Sequence, residues 1–327
     1  MAEERVDVAL IGAPKKIIVD GLAARFNLHV IPRNASADAL IAKIGPSIRG
    51  AAVTGAPDKM MGDVMARLPK LEWVSSFGVG YDNIDVKYAA AHGITVTHTP
   101  EVLNEEVADT TIGLLLCTIR EFPQADRFVR AGRWSQGQYP LTTATLRDRT
   151  VGMVGMGRIG KAIARRLEAF GVPVVYHTRN ALADVSYRHY PKLIDMARDV
   201  DTLMVIVPGG PGTRNLINAE VLEALGPKGI LINMARGSVV DEPALIRALQ
   251  DKKILAAGLD VYAKEPEVPR ELIAMENVVL FPHLGSGSEW TRTKMDQLVV
   301  DNLASWVAGK GPLTPVAETP WPAKKRT

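Results

Sequence analysis

A chain of 327 residues with 47% hydrophobic residues is long enough for two domains with buried cores, and it is not a disordered protein. Its net charge is only +3, from 39 basic and 36 acidic residues, and no stretch combines a Lys/Arg stripe with aromatic residues, which argues against nucleic-acid binding. No apolar run approaches the roughly 18 residues of a membrane span, and the N-terminus lacks the basic flank of a secretory signal, so we expect a cytoplasmic protein that binds no membrane.

About the first hundred residues alternate short apolar runs with helical patterns, which predicts a parallel, doubly wound sheet. The predicted strands are Val6–Ile11, Leu28–Ile31, Gly50–Thr54, Leu71–Ser75 and Thr95–Thr97. The helices predicted between them lie near Ile17–Phe26, Ala37–Ile44, Lys59–Leu68 and Asn83–Ala91.

A long apolar helix is predicted next, roughly over Glu101–Arg120, with Thr99 as its N-cap and Pro100 in its first turn. It carries the only cysteine, Cys117, which excludes an intrachain disulfide and a cysteine metal site. We predict a buried, small apolar role for this thiol and no metal centre. Residues 121–149 show weak periodicity, which predicts a long irregular arm with a function or an interface.

The alternation then resumes and predicts a second parallel sheet. Its predicted strands are Val151–Val154, Val172–His177, Thr202–Val207, Gly229–Asn233, Ala256–Val261 and Val278–Phe281. A helix from about Gly287 to Val307 is predicted to return the chain to the first domain, and the proline-rich end predicts an extended tail over 317–327.

Three glycines, Gly155, Gly157 and Gly160, form a G-x-G-x-x-G pattern between a predicted strand and a predicted helix, Ile159 to Phe170. A dinucleotide-binding turn requires this context. The first glycine permits the tight turn, the second lets the backbone approach a pyrophosphate, and the third lets the helix pack on the strand. Because a helix N-terminus favours negative charge, we predict that Arg158 and Ile159 contact the cofactor together with the glycines.

The next predicted strand ends where an NAD-binding protein usually offers Asp or Glu to the ribose. This chain offers His177, Thr178, Arg179 and Asn180, with no carboxylate among them. A cation and a hydroxyl suit a 2′-phosphate, so the sequence predicts NADP, with NADPH preferred over NADH. The fold class is therefore predicted as α/β, with a Rossmann cofactor domain (100–286) inserted into a flavodoxin-like substrate domain (1–99 and 287–316).

Polar side chains follow three successive predicted strands of the second domain: Arg236, Glu265 and His283. Because ligands bind beyond the carboxyl ends of open parallel sheets, we expect the three to converge on the nicotinamide side. Reduction of a 2-oxo acid needs a cation that holds the carboxylate, an acid that protonates the keto oxygen and a partner that keeps this acid protonated. Arg236 suits the first role, His283 the second and Glu265 the third. Each residue taken alone also has an ordinary structural explanation. His98, near the predicted domain junction, is a further histidine that could approach this site.

These features together resemble the D-isomer-specific 2-hydroxyacid dehydrogenase family, over about Val6 to Val316. The motifs that carry the resemblance are Gly78-Val79-Gly80-Tyr81-Asp82-Asn83-Ile84-Asp85, the turn GMGRIG, Asn233-Met234-Ala235-Arg236-Gly237 with Val240-Asp241, Gly258-Leu259-Asp260-Val261, Glu265-Pro266 and Pro282-His283-x-Gly-Ser. Within the family, VSSFGVGYDNID, TPEVLNEEVAD and NVVLFPHLGSGSEWTRTKM are most similar to NADPH-dependent glyoxylate/hydroxypyruvate reductases, and hydroxyphenylpyruvate reductases are similarly close.

The resemblance implies NADPH-dependent reduction of small 2-oxo acids, such as glyoxylate and hydroxypyruvate, to D-2-hydroxy acids, in a homodimer formed through the cofactor domain. It implies that His283 is the general acid, and that Val79 and Gly80 bind the substrate carboxylate through their N–H groups with Arg236 and His283. The cofactor contacts that it implies beyond the glycine turn are Val207, Pro208, Thr213, Met234, Ala235, Arg236, Asp260, His283 and Gly285. Residues 207–213, VPGGPGT, depart from the family pattern and leave the contacts there open.

Two alternatives stay open. The substrate could be another 2-oxo acid, such as an aryl pyruvate, or phosphoglycerate, and five apolar residues could either shape its pocket or belong to a core or an interface: Phe77, Leu103, Trp134, Tyr139 and Trp290. The other alternative is a nucleotide-sensing binding protein like the corepressors of this fold, against which the intact trio argues.

Overall fold

The computed structural model describes residues 5–34, 36–55 and 58–321, and it divides into two compact units. The first unit comprises Met1–Leu103 and Ser288–Thr327, and the second comprises Asn104–Gly287. The chain therefore builds the second unit as an insertion into the first. We describe each unit by itself.

In the first unit, the described residues form a five-stranded parallel sheet with the order β2-β1-β3-β4-β5. Its strands are β1 (Asp7–Ile11), β2 (Asn27–Ile31), β3 (Gly50–Val53), β4 (Trp73–Ser76) and β5 (Thr95–Thr97). The connecting helices are α1 (Lys16–Ala23), α2 (Ala37–Ile44), α3 (Gly62–Ala66) and α4 (Val86–Ala91). Strands β3 and β4 are buried along their whole length, as expected of a parallel sheet that is covered on both faces.

Helices α3 and α4 are shorter than predicted, and a local contact explains the second. The side chain of Asn83 donates hydrogen bonds to the carbonyl groups of Gly55 and Asp58, at 3.1 and 2.8 Å, which holds it in a loop. The helix begins only after Asp85, whose carboxylate accepts from the N–H of Tyr88 at 2.9 Å.

The second unit contains a seven-stranded parallel sheet within the described residues, in the order β12-β11-β10-β9-β6-β7-β8. Its strands are β6 (Val151–Val154), β7 (Val174–His177), β8 (Arg188–Tyr190), β9 (Thr202–Val205), β10 (Ile230–Asn233), β11 (Ala256–Leu259) and β12 (Val278–Leu280). Its helices are α5 (Asn104–Arg120), α6 (Phe122–Arg130), α7 (Arg158–Ala169), α8 (Leu193–Asp199), α9 (Ala219–Leu225), α10 (Glu242–Gln250) and α11 (Arg270–Ala274). The predicted fold class, α/β with two doubly wound parallel sheets, is confirmed.

The predicted start of α5 is wrong. Thr99 does not cap the helix, because its hydroxyl accepts a hydrogen bond from the N–H of Gly78 at 2.9 Å. Glu101 has a φ of 68°, which is not a helical conformation, and the helix begins only at Asn104. Cys117 on this helix is half-buried rather than fully buried, and burial raises the pKa of its thiol.

The segment 121–149 is less irregular than predicted, because it begins with the helix α6 and contains a 3₁₀ turn at Arg133–Ser135. The apolar residues Phe122, Ala125 and Val129 recur at helical spacing along α6, but Phe122 and Val129 are exposed. The side chain of Gln124 is buried instead and donates to the carbonyl of Glu276 at 2.6 Å.

The chain returns to the first unit through α12 (Glu289–Val307), which packs against α1 and β4. Beyond it, the predicted tail is not free as far as the structure describes it. Thr319 is buried and its hydroxyl accepts from the N–H of Val96 at 2.8 Å, and the ring of Trp321 lies 5.8 Å from that of Trp73. The basic residues at 324–326 lie outside the described residues. None of the helices in the described ranges is long and apolar enough to cross a bilayer.

Candidate active site

The glycine turn after β6 is built for close contacts on one side and open space on the other. Gly155 has a φ of 103°, and a Cβ there would lie 2.7 Å from the carbonyl oxygen of Ile206. A Cβ on Gly160 would lie 2.7 Å from the carbonyl oxygen of Gly155. At Gly157, by contrast, a Cβ would meet no heavy atom within 4 Å. Packing inside the protein therefore requires the first and third glycines, and the second faces an open cradle.

This cradle fits a dinucleotide. Gly157 is the N-cap of α7, a helix of 12 residues whose N-terminal N–H groups favour an anion. The strand order reverses at β6, which lies between β7 and β9, and ligands of open α/β sheets bind at such a switch point. The predicted contacts Arg158 and Ile159 occupy the first turn of α7.

The segment after β7 carries an exposed cation. Arg179 is exposed, and its side chain has no hydrogen-bond or ion-pair partner in the described part of the chain. The hydroxyl of Thr178 donates to the carbonyl of Asn180 at 2.6 Å, which folds this segment into a tight turn. Of the three residues predicted to contact a 2′-phosphate, Arg179 is therefore the one with an unengaged charge.

The glycine-rich loop 207–213 after β9 is closed by its last residue. The hydroxyl of Thr213 donates to the carbonyl of Pro208 at 2.6 Å, and its N–H donates to that of Gly210 at 3.1 Å. Gly210 has a φ of 132°, a conformation that favours glycine. The departure from the family pattern thus forms an ordered loop on the other side of the switch point from the glycine turn.

Two members of the predicted trio form a hydrogen-bonded pair. Nδ1 of His283 lies 2.7 Å from Oε2 of Glu265, and Oε1 of this carboxylate accepts from the N–H of Tyr262 at 3.1 Å. A carboxylate only accepts, so Nδ1 carries a proton, and Nε2 is left without a partner among the described residues. The side chains are 36% and 27% exposed for His283 and Glu265, so a small molecule can reach the pair.

The charge of Glu265 is stabilised by its surroundings. Burial alone would raise its pKa, but the hydrogen bond and charge of His283, the N–H of Tyr262 and the charge of Arg236 together lower it below its ordinary value of 4.5. The carboxylate is therefore ionised at neutral pH, and Arg236 lies within electrostatic reach of it. A cavity of about 280 Å³ borders the pair and is lined by Tyr262, Glu265, Pro266, Val268, Leu280, Phe281, Pro282 and His283.

Arg236 is placed by a close backbone contact. A Cβ on the following residue, Gly237, would lie 1.9 Å from the carbonyl carbon of Tyr262, so only glycine lets the two loops meet. The buried side chain of Asn233 holds the turn by donating to the carbonyl of Arg236 at 3.1 Å and accepting from the N–H of Ala235 at 3.1 Å. From the sequence, Gly237 was named only within a family motif and Tyr262 was given no role, although the glycine next to the predicted arginine was a readable signal.

The turn at His283 is held by Asp260. His283 has a φ of 53°, which is uncommon for a residue with a side chain, and its N–H donates to the carbonyl of Asp260 at 2.8 Å. The carboxylate of Asp260, only 2% exposed, accepts from the N–H groups of Leu284 and Gly285 at 2.5 and 2.9 Å. Burial raises the pKa of Asp260, and these two hydrogen bonds oppose the rise.

Three predicted cofactor contacts meet beside this turn. A Cβ on Gly285 would lie 3.2 Å from Oδ2 of Asp260 and 3.3 Å from Cε of Met234. Met234 and Ala235 are both buried at the end of β10.

In the first unit, the predicted carboxylate-binding loop Gly78–Gly80 follows β4. Gly78 has a φ of 134°, and its N–H is used by the hydroxyl of Thr99. The N–H groups of Val79 and Gly80 form no hydrogen bond within the described residues. Two backbone donors are thus left for a ligand, and they belong to the two residues that were predicted to bind the substrate.

The five apolar residues that were considered for a substrate pocket lie in different surroundings. Phe77 and Leu103 are buried, with Nζ of Lys15 lying 3.0 Å from the centroid of the Phe77 ring. Trp134 and Trp290 are exposed. The hydroxyl of Tyr139 donates to Glu121 at 2.9 Å, and burial together with this carboxylate raises the pKa of Tyr139 to about 12.

Comparison with known proteins agrees with the resemblance read from the motifs. Residues 112–285 match the NAD binding domain of the D-isomer specific 2-hydroxyacid dehydrogenases. The chain is 44% identical to glyoxylate/hydroxypyruvate reductase A of Arabidopsis thaliana over 96% of this chain and 99% of the relative, and 47% identical to hydroxyphenylpyruvate reductase of Plectranthus scutellarioides over 78% and 81%. The crystal structure of an NADPH-dependent glyoxylate/hydroxypyruvate reductase from Sinorhizobium meliloti, in complex with NADP and malonate, has a TM-score of 0.93 and 50% identity, with 99% of each chain covered. The chain therefore belongs to the D-isomer specific 2-hydroxyacid dehydrogenase family.

Proposed function

We propose that this protein reduces small 2-oxo acids of the glyoxylate and hydroxypyruvate type to D-2-hydroxy acids, with NADPH as the reductant. The observation that carries the proposal is the hydrogen-bonded pair Glu265–His283, with Arg236 in electrostatic reach, at the ends of three neighbouring strands. The relatives named above, two of which are glyoxylate/hydroxypyruvate reductases, support the substrate class.

His283 is the general acid of the proposed reaction. Bound NADPH supplies a hydride to the keto carbon of the substrate. Nε2 of His283 donates a proton to the keto oxygen, since Nδ1 is engaged with Glu265. The ionised Glu265 stabilises the protonated ring and fixes its orientation, in the way that a carboxylate orients the imidazole of a hydrolase triad.

Substrate binding is assigned to two groups of donors. The guanidinium of Arg236 offers a planar fork that matches a carboxylate and also polarises the keto group. In the first unit, the N–H groups of Val79 and Gly80, which form no hydrogen bond within the described residues, are assigned to the substrate carboxylate. Both groups remain neutral or positive through the reaction, so they hold the substrate without taking part in proton transfer.

The cofactor is assigned to the cradle of the second unit. The turn Gly155–Gly160 and the first turn of α7 hold the pyrophosphate, Thr178–Asn180 hold the 2′-phosphate, and the loop 207–213 contacts the adenosine side. Met234, Ala235, Asp260 and Gly285 lie with His283 on the nicotinamide side. The charge of Arg179 supports a preference for NADPH.

A homodimer formed through the segment 121–149 is part of the proposal. This segment exposes large apolar side chains that a monomer gains nothing by exposing: Trp134 is 66% and Leu141 is 96% exposed. Sedimentation velocity tests the dimer, and Leu141→Asp combined with Trp134→Asp is expected to lower the mass to that of a monomer. The cytoplasmic location stays a prediction that cell fractionation tests.

The activity is tested with a panel of 2-oxo acids and both reduced cofactors, with chiral analysis of the product. We expect glyoxylate and hydroxypyruvate to be reduced with NADPH, and His283→Ala to lower turnover by about 10²–10⁴-fold. Near wild-type turnover in this variant would refute the assignment of the acid. An aryl pyruvate such as 4-hydroxyphenylpyruvate belongs in the panel because a relative at 47% identity is named for that substrate.

A further inference from the structure

The two free N–H groups of the loop Gly78–Gly80 are aimed by hydrogen bonds on the opposite side of the loop. We propose that His98 is a positioning residue for substrate binding, which acts by holding the Val79–Gly80 peptide. This inference rests on the proposed function of the loop as a carboxylate site. The side chain of His98 binds a carbonyl of the loop and does not contact the substrate.

The direction of each N–H is coupled to the carbonyl of the same peptide. A trans peptide is planar, and its N–H and C=O point in opposite directions. The carbonyl of Val79 belongs to the peptide that carries the N–H of Gly80, and the carbonyl of Gly78 belongs to the one that carries the N–H of Val79. Whatever binds these two carbonyls therefore sets the direction of both free donors.

Residues 98 and 99 bind both carbonyls. Nδ1 of His98 lies 2.9 Å from the carbonyl oxygen of Val79, and the N–H of Thr99 donates to the carbonyl of Gly78 at 2.9 Å. Because a carbonyl only accepts, Nδ1 is the donor in the first bond. The two peptides are thus held on the same side, and their N–H groups face away from His98 and Thr99.

The sheet explains why these residues meet. Strands β4 and β5 are neighbours in the parallel register Ser75 with Thr97, so the loop after β4 lies beside the first residues after β5. Thr99 accepts from the N–H of Gly78 as well, so this donor is engaged and only the next two remain for a ligand.

The loop needs such an anchor, and His98 is rigid enough to be one. With glycine at two of its three positions, the loop has more backbone freedom than a loop whose residues all carry a Cβ. The main chain of His98 exchanges two hydrogen bonds with Thr314, at 3.1 and 2.6 Å, and its ring packs edge-on against Tyr81 at 5.3 Å. Thr314 is held in turn by the buried side chain of Asn302 on α12.

Two substitutions separate the hydrogen bond of His98 from its packing. His98→Phe keeps an aromatic ring against Tyr81 but removes the donor. His98→Asn loses the ring but places an amide donor at the same number of bonds from the backbone as Nδ1. His92 is the matched control, since its Nδ1 also binds a main-chain carbonyl, that of Tyr88 at 2.8 Å, and its ring also packs on a tyrosine. This bond lies at the C-terminal end of α4, where His92 is the C-cap, and it does not touch the loop Gly78–Gly80.

The measurements are kcat and KM for glyoxylate, the Kd of NADPH and the melting temperature. We expect His98→Phe to raise KM about threefold to tenfold, as the loss of one neutral hydrogen bond implies, with kcat and the Kd of NADPH unchanged within about twofold. His98→Asn is expected to return KM to within about twofold of the wild type, and His92→Phe to leave it unchanged. If His98 acted only through the packing of its ring, His98→Asn would not restore the KM of the wild type.

The inference is overturned if His98→Phe binds glyoxylate as well as the wild type does. It is also overturned if His98→Asn is no better than His98→Phe, or if kcat falls with KM unchanged, which would make His98 a catalytic residue. Should the phenylalanine variant not fold, the asparagine variant and a His98→Leu variant give the same comparison of donor against no donor. A wild-type enzyme that reduces no 2-oxo acid refutes the proposed function, whereas an active wild type with an unaffected His98→Phe variant refutes this inference alone.

Discussion

Arg179 offers the sharpest test of cofactor choice, because its replacement by alanine removes one charge and no hydrogen bond or ion pair seen in the described residues. The side chain is exposed and has no partner within the described residues, so the free energy of unfolding should change by less than about 0.5 kcal/mol. A hydrogen bond to a charged group contributes about 1.5–3 kcal/mol. Since about 1.4 kcal/mol is a factor of ten, the Kd of NADPH should rise roughly 10- to 150-fold in Arg179→Ala. NADH lacks the 2′-phosphate, and its Kd should stay within about twofold.

The assay is a fluorescence titration of each reduced cofactor at two salt concentrations. Arg147→Ala is the matched control, because this exposed arginine precedes β6 at the opposite, amino-terminal edge of the sheet. Arg179→Lys keeps the charge and should recover part of the affinity, and salt should narrow the difference between the two cofactors by screening the exposed pair. Equal losses for NADPH and NADH, or the same loss in Arg147→Ala, would refute the assignment of Arg179 to the 2′-phosphate.

Three further predictions concern the Glu265–His283 pair, the glycines Gly157 and Gly237, and Arg149, which precedes β6. Glu265→Gln removes the charged partner that lies 2.7 Å from Nδ1 of His283, so kcat/KM for glyoxylate should fall while the Kd of NADPH stays unchanged; an unchanged kcat/KM would contradict this role. Because folding lowers the pKa of Glu265, its ionised carboxylate stabilises the wild-type fold above about pH 4.5. This stabilisation is lost as pH falls through the pKa of Glu265 in the folded state, and it is absent in Glu265→Gln. Urea unfolding at several pH values measures the difference. Gly237→Ala places a methyl group 1.9 Å from a backbone carbon and should lower both the melting temperature and the activity. Gly157→Ala places its methyl group in open space and should weaken NADPH binding at an unchanged melting temperature. The same response from both variants would contradict the different packing of the two glycines. Arg149→Met removes donors to two main-chain carbonyls and should lower the free energy of unfolding by about 2–4 kcal/mol in urea titrations, with KM unchanged; a loss below about 0.5 kcal/mol would mean that these bonds contribute little.

Apolar runs bounded by turn residues predicted the strands well, since a strand buried on both faces carries its signal in its own residues. Strand β8 was missed because its sequence, Arg188–Tyr190, is short and mostly polar. Helix α6 was missed although Phe122, Ala125 and Val129 recur at helical spacing, because the periodicity of the whole segment 121–149 is weak. The start of α5 was placed too early because Thr99 looks like a cap in sequence but is used by Gly78, a residue of another strand end.

The sequence by itself predicted the cofactor turn and named the residues of the trio. Glycine spacing reports a backbone conformation, and residues that follow successive parallel strands must meet at one edge of the sheet. Only the tertiary structure decided how these groups are engaged: which nitrogen of His283 binds Glu265, why residue 237 must be glycine, and which N–H groups of the loop Gly78–Gly80 are left for a ligand. Each of these depends on contacts between residues far apart in the chain. A pattern of neighbours along the sequence carries no record of such contacts, because packing between strands and loops sets their distances.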